Sequence, residues 1–558
     1  MQPMRRIVLA GAFFLLWPLL HAQLSEKPDS WTRLEGHFLS DFEPSNAFFL
    51  RNLCLAEIRK TGPQYRPPAA AMDLIGTADR AFQTNSTNAA ARYYARVLVV
   101  LRGQTPGEWL EVAGSLRFRL DRRVAAPGAI VHARLDPALL LDRPIQDTYS
   151  VRLSLAPAGG GAARELPPLQ IERLEDRDIR LPTADLPEGA YLVRFALLDK
   201  AGRTLSSAAR PLLLSARFFT RLAALEAQAD QLAAAGAARK SPRHAAAVET
   251  ILFTTELCRR ATREPVGSYH QNLHPLLLQL SAGWPGPDST DPLRPDLDLP
   301  QAEALAGSLL QGADPLAART GDLRLAYRSG VEKPYQPYRV YLPPSYEPGR
   351  KWPLIVALRS YTGDDGTLFD LCPPGAESLL LKLARERGYL VAAPEGLGPY
   401  SYFAGTAADD VFHVIDRMRA SYSVDPRQVF LAGNNMGGMG AMMLTLDPRA
   451  RFAAVAAVAA TPIRQDDFSR APNIPVLLLQ APASRIQTTL ESRRFGFVLA
   501  KGFKLFDYDE LPGADQANAF PLALPRVFQF FDAVRAGAWK PSGKPVPLPD
   551  ELRTPPPR

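Results

Sequence analysis

The run Val429-Phe430-Leu431-Ala432-Gly433-Asn434-Asn435-Met436-Gly437-Gly438 carries the spacing that speaks most directly to chemistry. Four apolar residues lead into G-x-x-x-G and a segment rich in glycine and methionine. This is the sequence form of a strand–elbow–helix that presents a nucleophile for acyl transfer. At the apex, where a serine would attack an ester carbonyl, stands Asn435. A carboxamide has no hydroxyl or thiol for a neighbouring base to activate. The base is missing as well: the single histidine between residues 316 and 540 is His413, in a helical segment that precedes the elbow. It reads as a structural helix residue, so no Ser-His-Asp set can be assembled. No H-E-x-x-H, paired C-x-x-C or P-loop occurs, and neither a metal nor a cofactor is expected. Met436, Met439, Met442 and Met443 read as core and pocket lining.

The elements that would position this elbow alternate strand with helix. Tyr338–Leu342, Leu354–Leu358, Tyr389–Ala393, Val429–Ala432, Ala454–Val458, Pro475–Leu479 and Lys504–Tyr508 are short apolar runs of the kind buried in a parallel sheet. Helical spacing lies between them at Ala376–Arg387, Thr406–Tyr422, Gly438–Leu446 and Thr489–Lys501, and Leu522–Ala536 follows. The order predicts an α/β fold, a doubly wound and mostly parallel sheet, over residues 316–540.

On three segments this region resembles the α/β-hydrolase superfamily, near its secreted esterases: polyhydroxybutyrate depolymerases, feruloyl esterases and acetylxylan esterases. One is Tyr338–Tyr346 leading into Trp352–Val356, and another is Asp409-Asp410-Val411 followed by Val424–Phe430. The third is the elbow itself. The resemblance implies a catalytic acid where Ser484 stands and a base where Gln516 stands. It also implies an oxyanion hole from the Met436 N–H and an amide near Tyr361, and an H-G pair where Arg359-Ser360 stands. Arg359, Asp364, Asp365 and Asp515 are candidate cleft residues, although Asp364 and Asp365 also fit a turn between Gly363 and Gly366.

The replacements are themselves informative. Asparagine tolerates positive φ better than most residues, so Asn435 is expected to keep the backbone of the elbow while losing the reactive group. Ser484 and Gln516 would complete an uncharged polar network with it. The expected function is that of an esterase-like pseudoenzyme binding a carbohydrate ester or another small ester. Two alternatives stay open. One is an active carboxylic-ester hydrolase using non-standard groups, such as Asp364 or Asp515 activating water. The other is a structural or assembly protein whose cleft is filled.

The rest of the 558 residues divide by composition. Arg5 and Arg6, the apolar Ile7–Leu20 and Leu20-His21-Ala22 read as a signal peptide over 1–22. The mature chain is expected to be exported, periplasmic or extracellular, without stable membrane insertion. Residues 23–105 and 216–315 read as helical regions. Residues 106–215 carry short alternating runs bounded by Pro, Gly and Asp, and resemble an immunoglobulin-like β-sandwich that offers a surface to a protein partner. Residues 541–558 form a proline-rich tail, expected to be extended or disordered. The net charge of +8 is dispersed, with no basic run or basic-aromatic stripe, and nucleic acid is not an expected partner. Cys54, Cys258 and Cys372 allow at most one disulfide, with Cys54–Cys258 the conceivable pair, and buried, unpaired thiols are the equally open alternative.

Overall fold

The computed structural model describes residues 50, 51, 54, 57, 58, 65–84, 86–101, 103, 105–109, 112, 116–137, 144–263, 297–317, 319–329, 335–360, 364–371, 377–397, 401–460, 468–482, 489–514 and 518–548. The expected signal segment lies outside them. Within the region read as helical over 23–105 lie helices α1 (Ala69–Gln83) and α2 (Thr87–Leu101). Of the cysteines, Cys54 and Cys258 are free and buried, so the conceivable bridge between them is not formed. The Cys54 thiol donates to the Tyr94 carbonyl at 3.2 Å. Burial pushes the Cys258 thiol up to about 12. Cys372 lies outside the described residues.

Nine strands follow: β1 (Leu116–Leu120), β2 (Val124–Ala125), β3 (Val131–Pro137), β4 (Tyr149–Pro157), β5 (Arg164–Glu165), β6 (Leu169–Ile171), β7 (Arg177–Leu181), β8 (Gly189–Asp199) and β9 (Thr204–Leu214). β1, β3 and β7 form one antiparallel sheet. The second runs β2-β9-β8-β4-β5, with β6 also on β4. Period-2 alternation turns Phe118, Leu120, Val131 and Leu135 of one sheet, and Val151, Leu153, Val193 and Phe195 of the other, into a common core. Phe118 and Phe195 stack across it with ring centroids 5.4 Å apart.

β9 passes directly into α3 (Ala216–Ala234), whose N-cap Ser215 Oγ accepts from the Phe218 N–H. α4 (Pro242–Arg263) and α5 (Asp298–Leu310) complete a helical block. Beyond it lies an eight-stranded sheet made of β10 (Gly321–Arg328), β11 (Tyr335–Leu342), β12 (Trp352–Leu358), β13 (Leu390–Pro394), β14 (Val424–Asn434), β15 (Ala454–Val458), β16 (Val476–Gln480) and β17 (Phe506–Glu510). Its order is β10-β11-β13-β12-β14-β15-β16-β17. β11 is antiparallel to both neighbours, and every pair from β13 to β17 is parallel.

Helices α6 (Leu379–Arg387), α7 (Thr406–Ser421), α8 (Met436–Leu444), α9 (Thr489–Gly502) and α10 (Ala519–Arg535) are the crossovers and the closing helix. Alternate residues of β12 enter different cores. Leu354, Val356 and Leu358 pack with α7, α8 and α9. Ile355 and Ala357 pack with α6 and α10. All seven residues of β12 are buried, which explains why its sequence is continuously apolar rather than alternating.

β10 pairs only with β11, so its outer backbone groups need other partners. The helical block supplies them. Gln301 Oε1 of α5 accepts from the Arg324 N–H at 3.1 Å, and its Nε2 donates back to the Arg324 carbonyl. Thr250 Oγ1 of α4 accepts from the Ala326 N–H at 2.9 Å. Side chains here complete the ladder as a ninth strand would. At the far edge, the Ser542 N–H and hydroxyl both donate to Asp507 Oδ1 of β17, at 2.7 and 2.8 Å. Val546 and Leu548 are buried, so the described first part of the tail is docked rather than disordered.

Candidate functional site

β14 ends at Asn434, which stands opposite Val458 of β15, and α8 begins at Met436. Asn435 alone makes the turn between them, at φ 52° and ψ −108°. Its N–H donates to the Val458 carbonyl at 2.8 Å, and its carbonyl accepts from the Met439 N–H at 3.1 Å. The corner is tight enough to exclude side chains on either flank. A Cβ on Gly433 would overlap the Gly437 carbonyl, and one on Gly437 would overlap the Leu358 carbonyl. The glycine spacing is thus a steric requirement for crossing β12 and β14 with α8.

The conformation at the apex departs from the sequence expectation. The tolerance of asparagine is for the left-handed helical region, with ψ near +47°. At ψ −108° Asn435 lies outside that region, so its backbone is strained by about 1–3 kcal/mol, as any non-glycine residue there would be. The side chain does not offset this. Asn435 is 3 % exposed and makes no capping bond to its own helix. Among the described residues its buried Nδ2 has no hydrogen-bond partner, which costs about a further 1–3 kcal/mol. Oδ1 of Asn434 is likewise buried and unpartnered. Met436 opens a nine-residue helix, so its N–H is one of the first-turn donors that have no intrahelical acceptor.

A buried polar network braces the elbow from behind. The Arg359 carbonyl accepts from the Gly437 N–H at 3.0 Å. The Arg359 guanidinium, only 2 % exposed, donates from Nε to the Glu395 carbonyl at 2.6 Å and from Nη1 to the Ser360 carbonyl at 2.9 Å. It lies 5.9 Å from the ring centroid of Phe403, the residue against which Gly440 of α8 packs. Glu395 also accepts from Gln336 Nε2 through its carboxylate. Next to it the Gly396 N–H donates to Asp410 Oδ2, and the Tyr327 hydroxyl donates to Asp410 Oδ1, both at 2.6 Å. Burial pushes the Asp410 carboxyl up to about 7, against the pull of these two donors. Leu397, Tyr402 and Phe403, near Gly396, all have positive φ. Backbone strain therefore concentrates around the elbow and the turn that supports it.

The other expected site residues divide sharply. Asp365 is fully buried and faces no cleft. It takes a bidentate bond from Arg324 Nε and Nη2, both at 2.9 Å, while Arg324 Nη1 reaches Asp298 Oδ2 at 3.2 Å. Burial alone would lower the Arg324 pKa, but Asp365 and Asp298 raise it and keep the guanidinium charged. Asp364 is committed to a turn: its Oδ1 accepts from the Gly366 N–H at 2.9 Å and from the Thr367 hydroxyl at 3.3 Å. Arg359 lies in the brace rather than on a surface. Tyr361, Ser484, Asp515 and Gln516 lie outside the described residues.

His413 sits on α7, stacked on Tyr327 with centroids 4.1 Å apart, and its Nε2 accepts from Arg417 Nε at 3.2 Å. Burial and the Arg417 charge lower its pKa. Asp409, which opens the same helix, pairs with Arg449 at 2.6 Å. The brace of Tyr327, Gln336, Arg359, Glu395 and Asp410 was not anticipated from sequence. Only the Asp409-Asp410 pair hinted at it. Among the described residues no group of three or more His, Cys, Asp or Glu could hold a metal ion. None of the described helices is long and apolar enough to cross a membrane.

No protein-family model matches the chain, and no curated protein does. Solved structures similar to it include a fluorophosphonate-binding serine hydrolase of Staphylococcus aureus, at 16% identity and TM-score 0.33 over 38% of this chain and 98% of that one. Another is a CE1 ferulic acid esterase from the anaerobic fungus Anaeromyces mucronatus, at 16% identity and TM-score 0.33 over 38% of this chain and 91% of that one. A third is S-formylglutathione hydrolase from Staphylococcus aureus, at 16% identity and TM-score 0.31 over 39% and 99%. At these values the likeness says nothing of activity. Residues 321–535 themselves show a mostly parallel sheet and a tight strand–helix corner between β14 and α8.

Proposed function

We propose that residues 321–535 are an esterase-like α/β-hydrolase scaffold, doubly wound, from which the hydrolytic chemistry has been removed, and that the exported chain binds a small ester or related ligand there. The observation that carries this reading is Asn435 at the strained apex of the elbow, φ 52°, where a nucleophile would stand. The absence of any histidine but His413 from residues 316–540, and its commitment to Tyr327 and Arg417, supports it further. Loss of a complete triad removes about 10⁶-fold in kcat, far more than a surviving oxyanion hole replaces. The two-sheet module over residues 116–214, taken as an immunoglobulin-like sandwich, would supply a surface for a protein partner.

Steady-state hydrolysis of p-nitrophenyl acetate and butyrate tests the reading. The wild-type rate is expected to match that of Asn435→Ala within about twofold. A wild-type rate tenfold or more above the uncatalysed background, or above that variant, would overturn it and favour an active hydrolase with non-standard groups. A second reading, a filled cleft with a purely structural role, draws on the burial of Asn435 at 3 % and Met436 at 0 %. Ligand binding at the elbow separates it from the first.

A further inference from the structure

Two features of Asn435 are unfavourable in the folded state, and glycine would remove both. The backbone conformation is one that only glycine adopts without strain. The buried amide Nδ2 meets no acceptor among the described residues. An apex that served only to turn the chain would need neither feature. A ligand atom that accepts from Nδ2 gives the side chain a use.

The Met436 N–H lies one residue on, at the start of α8, where the helix dipole favours negative charge. The N-cap side chain makes no bond to this first turn, so it does not consume the donors there. Replacing a nucleophilic hydroxyl by an amide therefore converts the apex from a group that attacks a carbonyl into a group that donates to an oxygen. An ester presents one good acceptor, its carbonyl oxygen, and a poor one, its alkoxy oxygen. A carboxylate presents two strong acceptors and a negative charge, one oxygen for Asn435 Nδ2 and one for Met436 N–H.

We infer that the elbow is a carboxylate-binding site, and that the ligand of this chain is a free carboxylic acid in its ionised form rather than an ester. This inference rests on the non-hydrolytic reading above and specifies the ligand class of the same site.

Isothermal titration of the full chain at pH 7 with acetate and benzoate, and with methyl benzoate as the uncharged comparison, tests it. Benzoate or acetate is expected to bind with a Kd of millimolar or tighter, and methyl benzoate at least tenfold more weakly than benzoate. Asn435→Asp, which places a negative charge where the amide donates, is expected to weaken carboxylate binding at least tenfold. Should that variant not fold, Asn435→Gly carries the test, since it relieves the backbone while deleting the donor, and it too is expected to lose at least tenfold. No binding of either carboxylate, equal binding of benzoate and methyl benzoate, or wild-type binding by Asn435→Gly would overturn the inference. Ester turnover distinguishes the two failures: a protein that neither turns over esters nor binds carboxylates sinks only the ligand class, whereas turnover sinks the parent reading.

Discussion

The backbone of the corner at Asn435 does not depend on the side chain it carries. The elbow depends on the Val458 and Met439 hydrogen bonds and on the bare glycines at 433 and 437, none of which involves the side chain of residue 435. Asn435→Gly is therefore expected to raise stability in urea unfolding by about 1–3 kcal/mol through relief of backbone strain. A loss of stability would mean that the side chain has a partner in the folded protein. Asp410 makes a second prediction at this scale. Its carboxyl is raised to about 7 in the fold from an ordinary 3.8. Between about pH 4 and 7 the native state holds a proton that the unfolded chain has released, so this group makes stability fall as pH rises. Above about 7 both states are ionised and the loss, of order 4 kcal/mol, is complete. Asp410→Asn is expected to flatten the decline in unfolding free energy between pH 4 and 7. An unchanged slope would place the titration elsewhere.

Among the elements, β10 and its helical cover are the least expected part of the fold. The strand was not anticipated because Asp322, Arg324 and Arg328 interrupt its apolar residues. Arg324 is intelligible inside the protein only beside Asp298 and Asp365, which are far away in the chain. For the same reason Asp365, read as a cleft residue, turned out to be half of a buried ion pair. Removing the cation strands two buried carboxylates, so Arg324→Met is expected to destabilise by about 3–5 kcal/mol. Gln301→Leu leaves the Arg324 N–H and carbonyl unmet at the sheet edge and is expected to cost about 1–3 kcal/mol. Urea unfolding of the two variants checks both values. Losses below about 0.5 kcal/mol would mean that the helical block does not close this edge. The central strands were legible for the opposite reason. Leu354–Leu358, Val429–Ala432 and Ala454–Val458 are buried on both faces, and their apolar runs report that without any distant partner.

In the whole molecule, the helical block, the two-sheet module and the eight-stranded sheet are joined by backbone as well as packing. The Arg123 N–H, beside β2, donates to the Ala261 carbonyl of α4, and α4 and α5 in turn close the edge of β10. The sheet that carries the elbow is thus held by elements that precede it in the chain. The elbow could be read from ten consecutive residues because its sterics are local. Its brace could not, since Tyr327, Gln336, Arg359, Glu395 and Asp410 meet only once the sheet has formed. The central claim is that this sheet presents an amide where hydrolases present a nucleophile. Intact-mass measurement of the full chain after incubation with a fluorophosphonate probe tests it most directly. The account predicts an unmodified mass under conditions that label a serine hydrolase to completion, and a stoichiometric single adduct lost on denaturation before labelling would contradict it.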